Sequence, residues 1–450
     1  MQAECTRGCS MQTIIHSDIQ RLPHIDEAEK ILRSCVHCGF CNAVCPTYQL
    51  LGDELDGPRG RIYLIKDLLE TNDIDGESVE HLDRCLTCRS CETTCPSGVQ
   101  YGRLLDIGRE VIANQHSTRR KPNPLPHLVR WIVPRSWIFE PLLRIGNMVR
   151  GILPQALRVK IPKITPLIKS NKDVAMLEGE MTDGGLVLNK IQRKVLVLSG
   201  CVQKSATPNV NRSLESLLAT HQVAVEYLSN EGCCGALDLH LSAHAQAKQR
   251  MRELIDKMHD SLDDYEAIIS TASGCGVTIK EYPVILADDE VYLNKAEEVC
   301  AKVVDAVEYV AQFDFALPAT NVTRVAVHTP CSLQHGQKLP VALEDILKKV
   351  GVELVETGEK HLCCGSAGSY SLLQPAIANA LTSRKLDNLQ RDDPDVIVTA
   401  NVGCQMQLAA SADIPVMHWL EFLAQATTQQ HNNTTTQQHN NTTTHRLKDA

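Results

Sequence analysis

The sequence predicts a multidomain α plus α/β chain: an α-helical N-terminal domain followed by a duplicated α/β cysteine-rich domain. Three observations predict it. Eight cysteines between residues 35 and 95 fall into two identical frames. A second set of cysteines recurs in the C-terminal half at offsets of 129 or 130 residues. Between the two sets, the apolar pattern changes from helical spacing to short apolar runs alternating with helical stretches, which marks an α/β domain.

The N-terminal frames are Cys35, Cys38, Cys41 and Cys45 followed by Pro46, and Cys85, Cys88, Cys91 and Cys95 followed by Pro96. Each reads C-x2-C-x2-C-x3-C-P, the spacing that wraps thiolates around a cubane iron–sulfur cluster. Three cysteines two residues apart let one loop supply three ligands, and the fourth reaches the other cluster. The expected sets are therefore Cys35, Cys38, Cys41 and Cys95 for one 4Fe–4S cluster, and Cys45, Cys85, Cys88 and Cys91 for the second. The prolines fix the backbone direction as the chain leaves each site. Zinc fits less well, because zinc motifs pair two C-x2-C units across a longer gap.

Around these cysteines the periodicity is helical. Ile25, Ala28, Ile31 and Leu32 share a face before Cys35, and Ile62, Ile65, Leu68 and Leu69 share one between the frames. Leu104, Leu105, Ile107, Val111 and Ile112 follow Cys95. Residues 21–116 thus read as a helical ferredoxin-like domain with its cysteines on loops. A flexible leader, 1–20, precedes it and holds Cys5 and Cys9, with Met11 as an alternative start.

Residues 117–190 form a basic, Pro-rich connecting segment. Within 117–170 there are eleven Lys or Arg residues against one acid, Glu140, with Trp131 and Trp137 among regularly placed arginines. One reading is a linker packed across domain surfaces. The other is a cationic amphipathic surface lying on anionic lipid or on an acidic partner.

From Lys194 the apolar runs read as strands: Val195–Ser199, Val223–Leu228 and Ala267–Thr271, then Arg324–His328, Val352–Glu356 and Asp395–Ala400. Each ends near cysteine: Cys201, Cys233 with Cys234, and Cys275 in the first repeat; Cys331, Cys363 with Cys364, and Cys404 in the second. Both pairs continue to glycine, as Cys233-Cys234-Gly235 and Cys363-Cys364-Gly365. The chain therefore carries two C-C-G domains, 191–320 and 321–427, with a cysteine-built site in each. Ligands of parallel α/β sheets bind beyond the carboxyl ends of the strands, so the four cysteines of a repeat should meet at that edge. This leaves room for one or two further iron–sulfur or zinc centres, or a redox-active disulfide. Cys300 reads as a small buried hydrophobe. His328, His335 and His361 flank the second repeat's cysteines, either as satisfied loop histidines or as proton donors. The tail 428–450, with QQHNNTTT twice, is expected to be disordered.

The 450 residues suffice for two or three domains. A net charge of −9 gives no footprint for nucleic acid. Nineteen cysteines in so long a chain point to metal in a reducing compartment. The first thirty residues hold no apolar signal region, and no apolar run approaches the ~20 residues of a membrane span. No G-x-G-x-x-G follows a strand to open a helix, so no flavin or nicotinamide is expected on this chain.

The sequence resembles the iron–sulfur subunit of bacterial glycolate oxidase. The resemblance runs from Met11 to about residue 425. It is specific in CVHCGFCNAVCPTYQLLGDELDGPRGRIYLIKDLLE (35–70), HLDRCLTCRSCETTCPSGV (81–99), ASGCG (272–276), HLCCGSAGSY (361–370) and VTANVGCQ (398–405). It implies a non-flavin subunit of an oxidoreductase complex, working with flavin-binding subunits that oxidise glycolate to glyoxylate. The expected role is an electron relay toward the quinone pool, with no substrate oxidation by this chain alone. The expected place is cytoplasmic, peripheral on the cytoplasmic face of the inner membrane. It also implies the C-C-G domains of heterodisulfide reductases, anaerobic glycerol-3-phosphate dehydrogenases and lactate-utilisation proteins. In the first of these the motif ends C-x2-C, whereas here Gly-Val-Thr follows Cys275 and Gln-Met-Gln follows Cys404. The alternatives are the same relay in a lactate or glycerol-3-phosphate dehydrogenase complex, and a non-redox, metal-stabilised assembly scaffold.

Overall fold

The computed structural model describes residues 11–119, 123–152, 161, 180–182, 185–187, 193–315 and 324–426. Cys5, Cys9, the polar tail and much of the connecting segment lie outside these residues.

The N-terminal domain is built from α1 (Ile25–Ser34), α2 (Phe40–Ala43), α3 (Pro46–Leu51), α4 (Pro58–Thr71), α5 (Gly76–Asp83), α6 (Ser90–Thr94) and α7 (Tyr101–Gln115). The apolar stripes read from the sequence become its core. Leu32 of α1, Ile65 and Leu68 of α4, and Leu105 and Ile112 of α7 are fully buried together. The C-terminal half of the predicted leader is part of this core. Met11, Ile15 and Ile19 pack into it, and the backbone N–H groups of Met11 and His16 donate to Cys35 O (3.3 Å) and Leu69 O (2.9 Å). Three apolar residues four apart hold residues 11–20 against α1 and α4, so they are not a flexible leader.

In the connecting segment, α8 (Leu125–Ile132) and α9 (Ser136–Met148) are regular helices, with Pro141 inside α9. Each buries one residue, Val129 and Leu143 respectively. Leu128, Trp131, Trp137, Ile145 and Met148 stay exposed, Trp137 at 73%. No helix among the described residues is long and apolar enough to cross a membrane. A short antiparallel hairpin, β1 (Glu180–Thr182) with β2 (Gly185–Val187), precedes the repeats.

The first repeat is a parallel sheet of β3 (Arg193–Leu198), β4 (Val223–Tyr227), β5 (Ala267–Ser270) and β6 (Val303–Asp305), in the order β4-β3-β5-β6. The second holds β7 (Arg324–His328), β8 (Glu353–Leu354), β9 (Val396–Thr399) and β10 (Val416–His418), in the order β8-β7-β9-β10. Counted within each repeat, both orders are 2-1-3-4, so the duplication read from cysteine offsets is a duplication of topology. The three predicted strands of each repeat are present. The fourth, β6 and β10, were not predicted.

The repeats share a core. Val195, Val197 and Ile269 of the first sheet pack in one cluster with Val325, Val327 and Val398 of the second, closed by Trp419 and Leu420. Polar contacts join the same ends of the sheets. His418 Nε2 lies 3.1 Å from Thr271 O, and Gln337 Nε2 donates to Asp305 Oδ2 at 2.8 Å. This holds the carboxyl edges of both sheets as one surface.

Candidate functional site

The two N-terminal loops adopt the same unusual backbone. His37 (φ 57°) and Gly39 (φ 80°) in the first correspond to Thr87 (φ 53°) and Arg89 (φ 60°) in the second. Left-handed residues on both sides of Cys38 and of Cys88 curl each loop; Cys35 and Cys91 are buried, whereas Cys38 stays exposed. Three of the four left-handed residues are not glycine, so the loops carry a conformational cost that their surroundings must offset. Backbone amides also reach sulfur: Thr87 N–H donates to Cys85 Sγ (3.4 Å) and Val99 N–H to Cys95 Sγ (3.5 Å).

The thiols group across the two loops. Burial pushes the Cys41 thiol up to about 11, and the neighbouring thiols of Cys35, Cys95 and Cys38 push the same way. Burial likewise raises Cys91, with Cys88, Cys85 and Cys45 as thiol neighbours. The first group lines a cavity with Pro58, Arg59 and Tyr101; Cys45, Cys85 and Cys88 line a second. Tyr101, Pro58 and Cys91 line both, so the two cavities abut. Four thiols converging from two loops on one cavity are the donor set that a metal cluster takes up as thiolates. This donor chemistry fits iron.

Sequence reasoning did not find the cations around these sets. Arg61 is 1% exposed; its Nε donates to His81 O (2.8 Å) and its Nη1 to Thr47 Oγ1 (3.1 Å), beside Cys45. Asp56 balances it, accepting from Arg61 Nη2 (3.3 Å) and Arg84 Nη1 (3.1 Å). Arg109 is also buried and donates to Leu82 O (2.7 Å) and Cys85 O (3.3 Å). The available signal was an arginine inside an apolar stripe, directly before Ile62.

In each repeat the cysteines gather at the carboxyl edge of the sheet. Cys201 Sγ lies 3.7 Å from Cys233 Sγ, and Cys234 neighbours both Cys233 and Cys275. In the second repeat the same succession runs Cys331, Cys363, Cys364 and Cys404. Gly235 (φ +83°) and Gly365 (φ +87°) turn left-handed against a helix, where an added Cβ would meet Ala247 O at 3.0 Å and Ala378 O at 2.4 Å respectively. Gly365→Ala is therefore expected to lower stability by more than the about 1–2 kcal/mol of left-handed strain alone, and by more than Gly235→Ala. Thermal unfolding of the anaerobic proteins measures both.

The two repeats differ in what surrounds the thiols. Glu231 lies just ahead of the first C-C-G pair, separated from it by Gly232. Burial pushes its carboxyl up to about 7, and it accepts from Ser199 N–H (2.5 Å) and Gly200 N–H (3.1 Å). His361 stands at the matching place in the second repeat. There Lys385 is buried beside Cys364, Cys363 and Cys404, its ammonium donating to Glu359 O (2.7 Å). His335 is satisfied, its Nδ1 2.9 Å from Thr93 Oγ1 and its Nε2 3.3 Å from His361 O. His328 departs from the expected loop histidine. It is the last residue of β7 and lies in the interior. Cys300 is half-buried, its thiol donating to Ile279 O (2.9 Å).

The second repeat docks on the second N-terminal loop. Leu86 and Cys88 pack with Leu362, Cys363, Tyr370 and Cys331, and Tyr370 OH donates to Arg84 O (2.8 Å). Burial raises the Cys88 thiol, and Cys331 of the repeat adds to this more than Cys45 or Cys85 of its own domain. Arg89 makes an ion pair with Glu281 of the first repeat.

Two protein families match the chain. The 4Fe-4S dicluster domain family matches residues 31–99, and the cysteine-rich domain family matches 195–280 and 325–409. The chain is 42% identical over 427 residues to the glycolate oxidase iron-sulfur subunit of Escherichia coli K12, covering 93% of this chain and 100% of that one. It is 29% identical over 433 residues to the probable glycolate oxidase iron-sulfur subunit of Bacillus subtilis 168, covering 89% and 95%. It is 25% identical over 423 residues to a fumarate reductase (CoM/CoB) subunit of Methanothermobacter marburgensis, covering 91% and 75%.

Proposed function

The chain belongs to the glycolate oxidase iron–sulfur subunit family, and on that premise we propose that it is the electron-transfer subunit of a glycolate-oxidising complex. Flavin-binding partner subunits convert glycolate to glyoxylate, and this chain conducts their electrons toward the quinone pool. The observation that carries this reading is the unbroken succession of thiol sets. Cys35, Cys38, Cys41 and Cys95 abut Cys45, Cys85, Cys88 and Cys91, and Cys88 in turn packs on Cys331 and Cys363.

Each 4Fe–4S cubane, when bound, takes up and releases one electron at a time. The chain does the rest. Crossing Cys45 and Cys95 between the loops holds the two sets side by side. Arg61, Arg109 and the sulfur-directed amides place positive charge and donors around the thiolates, favouring the more reduced state. Tyr101 and Leu86, both buried, shield the second set from water. The cysteines of the two repeats provide donors for further iron–sulfur or zinc centres.

A panel of 2-hydroxy acids and glycerol-3-phosphate, given to the purified complex with a quinone acceptor, tests the fuel. Glycolate is expected to support the fastest turnover. Faster turnover on lactate or glycerol-3-phosphate assigns the relay to another dehydrogenase complex.

The exposed face of α8 and α9 is the proposed contact with the cytoplasmic face of the membrane. Trp131 and Trp137 supply interfacial anchors, and Arg135 and Arg144 the attraction to anionic lipid, whereas Arg130 is turned inward to pair with Asp238 (2.7 Å). The chain is expected to co-sediment with anionic vesicles at low salt and to detach as salt rises. Trp131→Ala with Trp137→Ala should weaken the binding several-fold. Separation of the protein from vesicles at low salt would assign the face to an acidic protein partner instead.

A further inference from the structure

We propose that the second repeat holds an iron–sulfur centre ligated by His328 through a ring nitrogen, beside Cys364 and Cys404, whereas the matching place in the first repeat holds no imidazole. The inference rests on the relay reading above and specifies one of its centres.

Three observations carry it. His328 is 2% exposed, and neither its Nδ1 nor its Nε2 has a hydrogen-bond partner among the described residues. A buried imidazole ordinarily satisfies at least one nitrogen, because an unpaired buried polar group is costly. Second, one ring nitrogen lies with Cys364 Sγ and Cys404 Sγ in a group whose atoms are all within 4.8 Å of one another. That is the spacing of donors around a common metal. Third, the fold does not need a histidine there. Cys201 and Cys331 are equivalent, so the residue matching His328 is Leu198, three before Cys201 at the end of β3, where an apolar side chain fills the place without orphaned atoms. The second repeat has replaced that plug with a ligand.

The donor count favours iron. Cys331, Cys363, Cys364 and Cys404 follow one another, and His328 makes a fifth donor. A structural zinc site closes with four. An iron–sulfur cluster has several irons to satisfy and accepts imidazole, which raises its reduction potential over an all-thiolate set. Such a centre next to Cys88 would draw electrons out of the N-terminal domain.

The test is pulsed electron paramagnetic resonance on the full chain, purified anaerobically with and without 15N-labelled histidine and poised across a redox titration. The expected result is one reduced-cluster signal with the strong coupling of a directly bonded histidine nitrogen. That coupling is expected to vanish in His328→Leu, and the midpoint of the same signal to move downward in His328→Cys. If either variant fails to accumulate, the isotope comparison on the unaltered chain still decides. The proposal is overturned if no signal carries a bonded nitrogen, if the coupling survives His328→Leu, or if the second repeat holds zinc. Those results leave the relay standing, provided the N-terminal clusters still give reduced signals. Absence of every cluster signal would sink the relay itself.

Discussion

Glycolate-dependent quinone reduction is expected to fall to background when Cys88 is replaced by serine. Cys88 sits where the second N-terminal thiol set meets the second repeat, packed with Leu86 against Cys331 and Cys363. Serine removes one of four soft ligands at the point that both sides share. The iron content should drop, while partner flavin subunits still reduce a small dye that takes electrons directly from them. Comparing the dye and quinone rates of one preparation separates a broken relay from a broken complex. Equal loss of both rates would show that the chain only assembles its partners, and unchanged quinone reduction would show that Cys88 lies off the route.

The second large effect is on stability. Arg61→Leu is expected to destabilise the N-terminal domain by about 3–5 kcal/mol, the usual consequence of stranding one partner of a buried ion pair. Asp56, 1% exposed, would keep only Arg84 as a charged arginine partner, and His81 O and Thr47 Oγ1 would each lose a donor. The loss of a positive charge beside Cys45 and Cys85 also disfavours the reduced state, so the midpoint potential of that set should fall. Anaerobic thermal unfolding reads the first effect and a redox titration the second. A variant as stable as the parent would mean that Asp56 is neutralised by its other neighbours.

Much of this architecture was legible in the chain because cysteine spacing is a geometric statement. Two C-x2-C-x2-C-x3-C-P frames state which loop supplies three thiols. In the structure, Cys41 has Cys95 of the other loop as a thiol neighbour, and Cys91 has Cys45. The offsets of Cys201, Cys233 and Cys275 to their second copies revealed a duplication that the strand orders repeat. What escaped the sequence had a short or masked local signal. β6 begins directly after the helix Tyr292–Lys302 and is only three residues long, and β10 is as short. Met11, Ile15 and Ile19 have the spacing of a packed face, but Gln12, Thr13, His16, Ser17 and Asp18 between them mask it. Lys385 and Arg61 are buried charges inside apolar stripes, where solvation argues against burial until a cluster of thiols is placed beside them. His328 reads as one more strand-end residue until the second repeat is overlaid on the first and Leu198 stands in its place.

The relay stands or falls on what the eight N-terminal thiols hold. Redox-titrated electron paramagnetic resonance of the anaerobically purified chain, with iron and acid-labile sulfide assayed on the same sample, tests this most directly. The expected spectrum on reduction contains two cubane signals broadened by each other, because Tyr101 and Cys91 border both cavities. A sample that is silent at every potential, with zinc in place of iron and sulfide, would contradict the account.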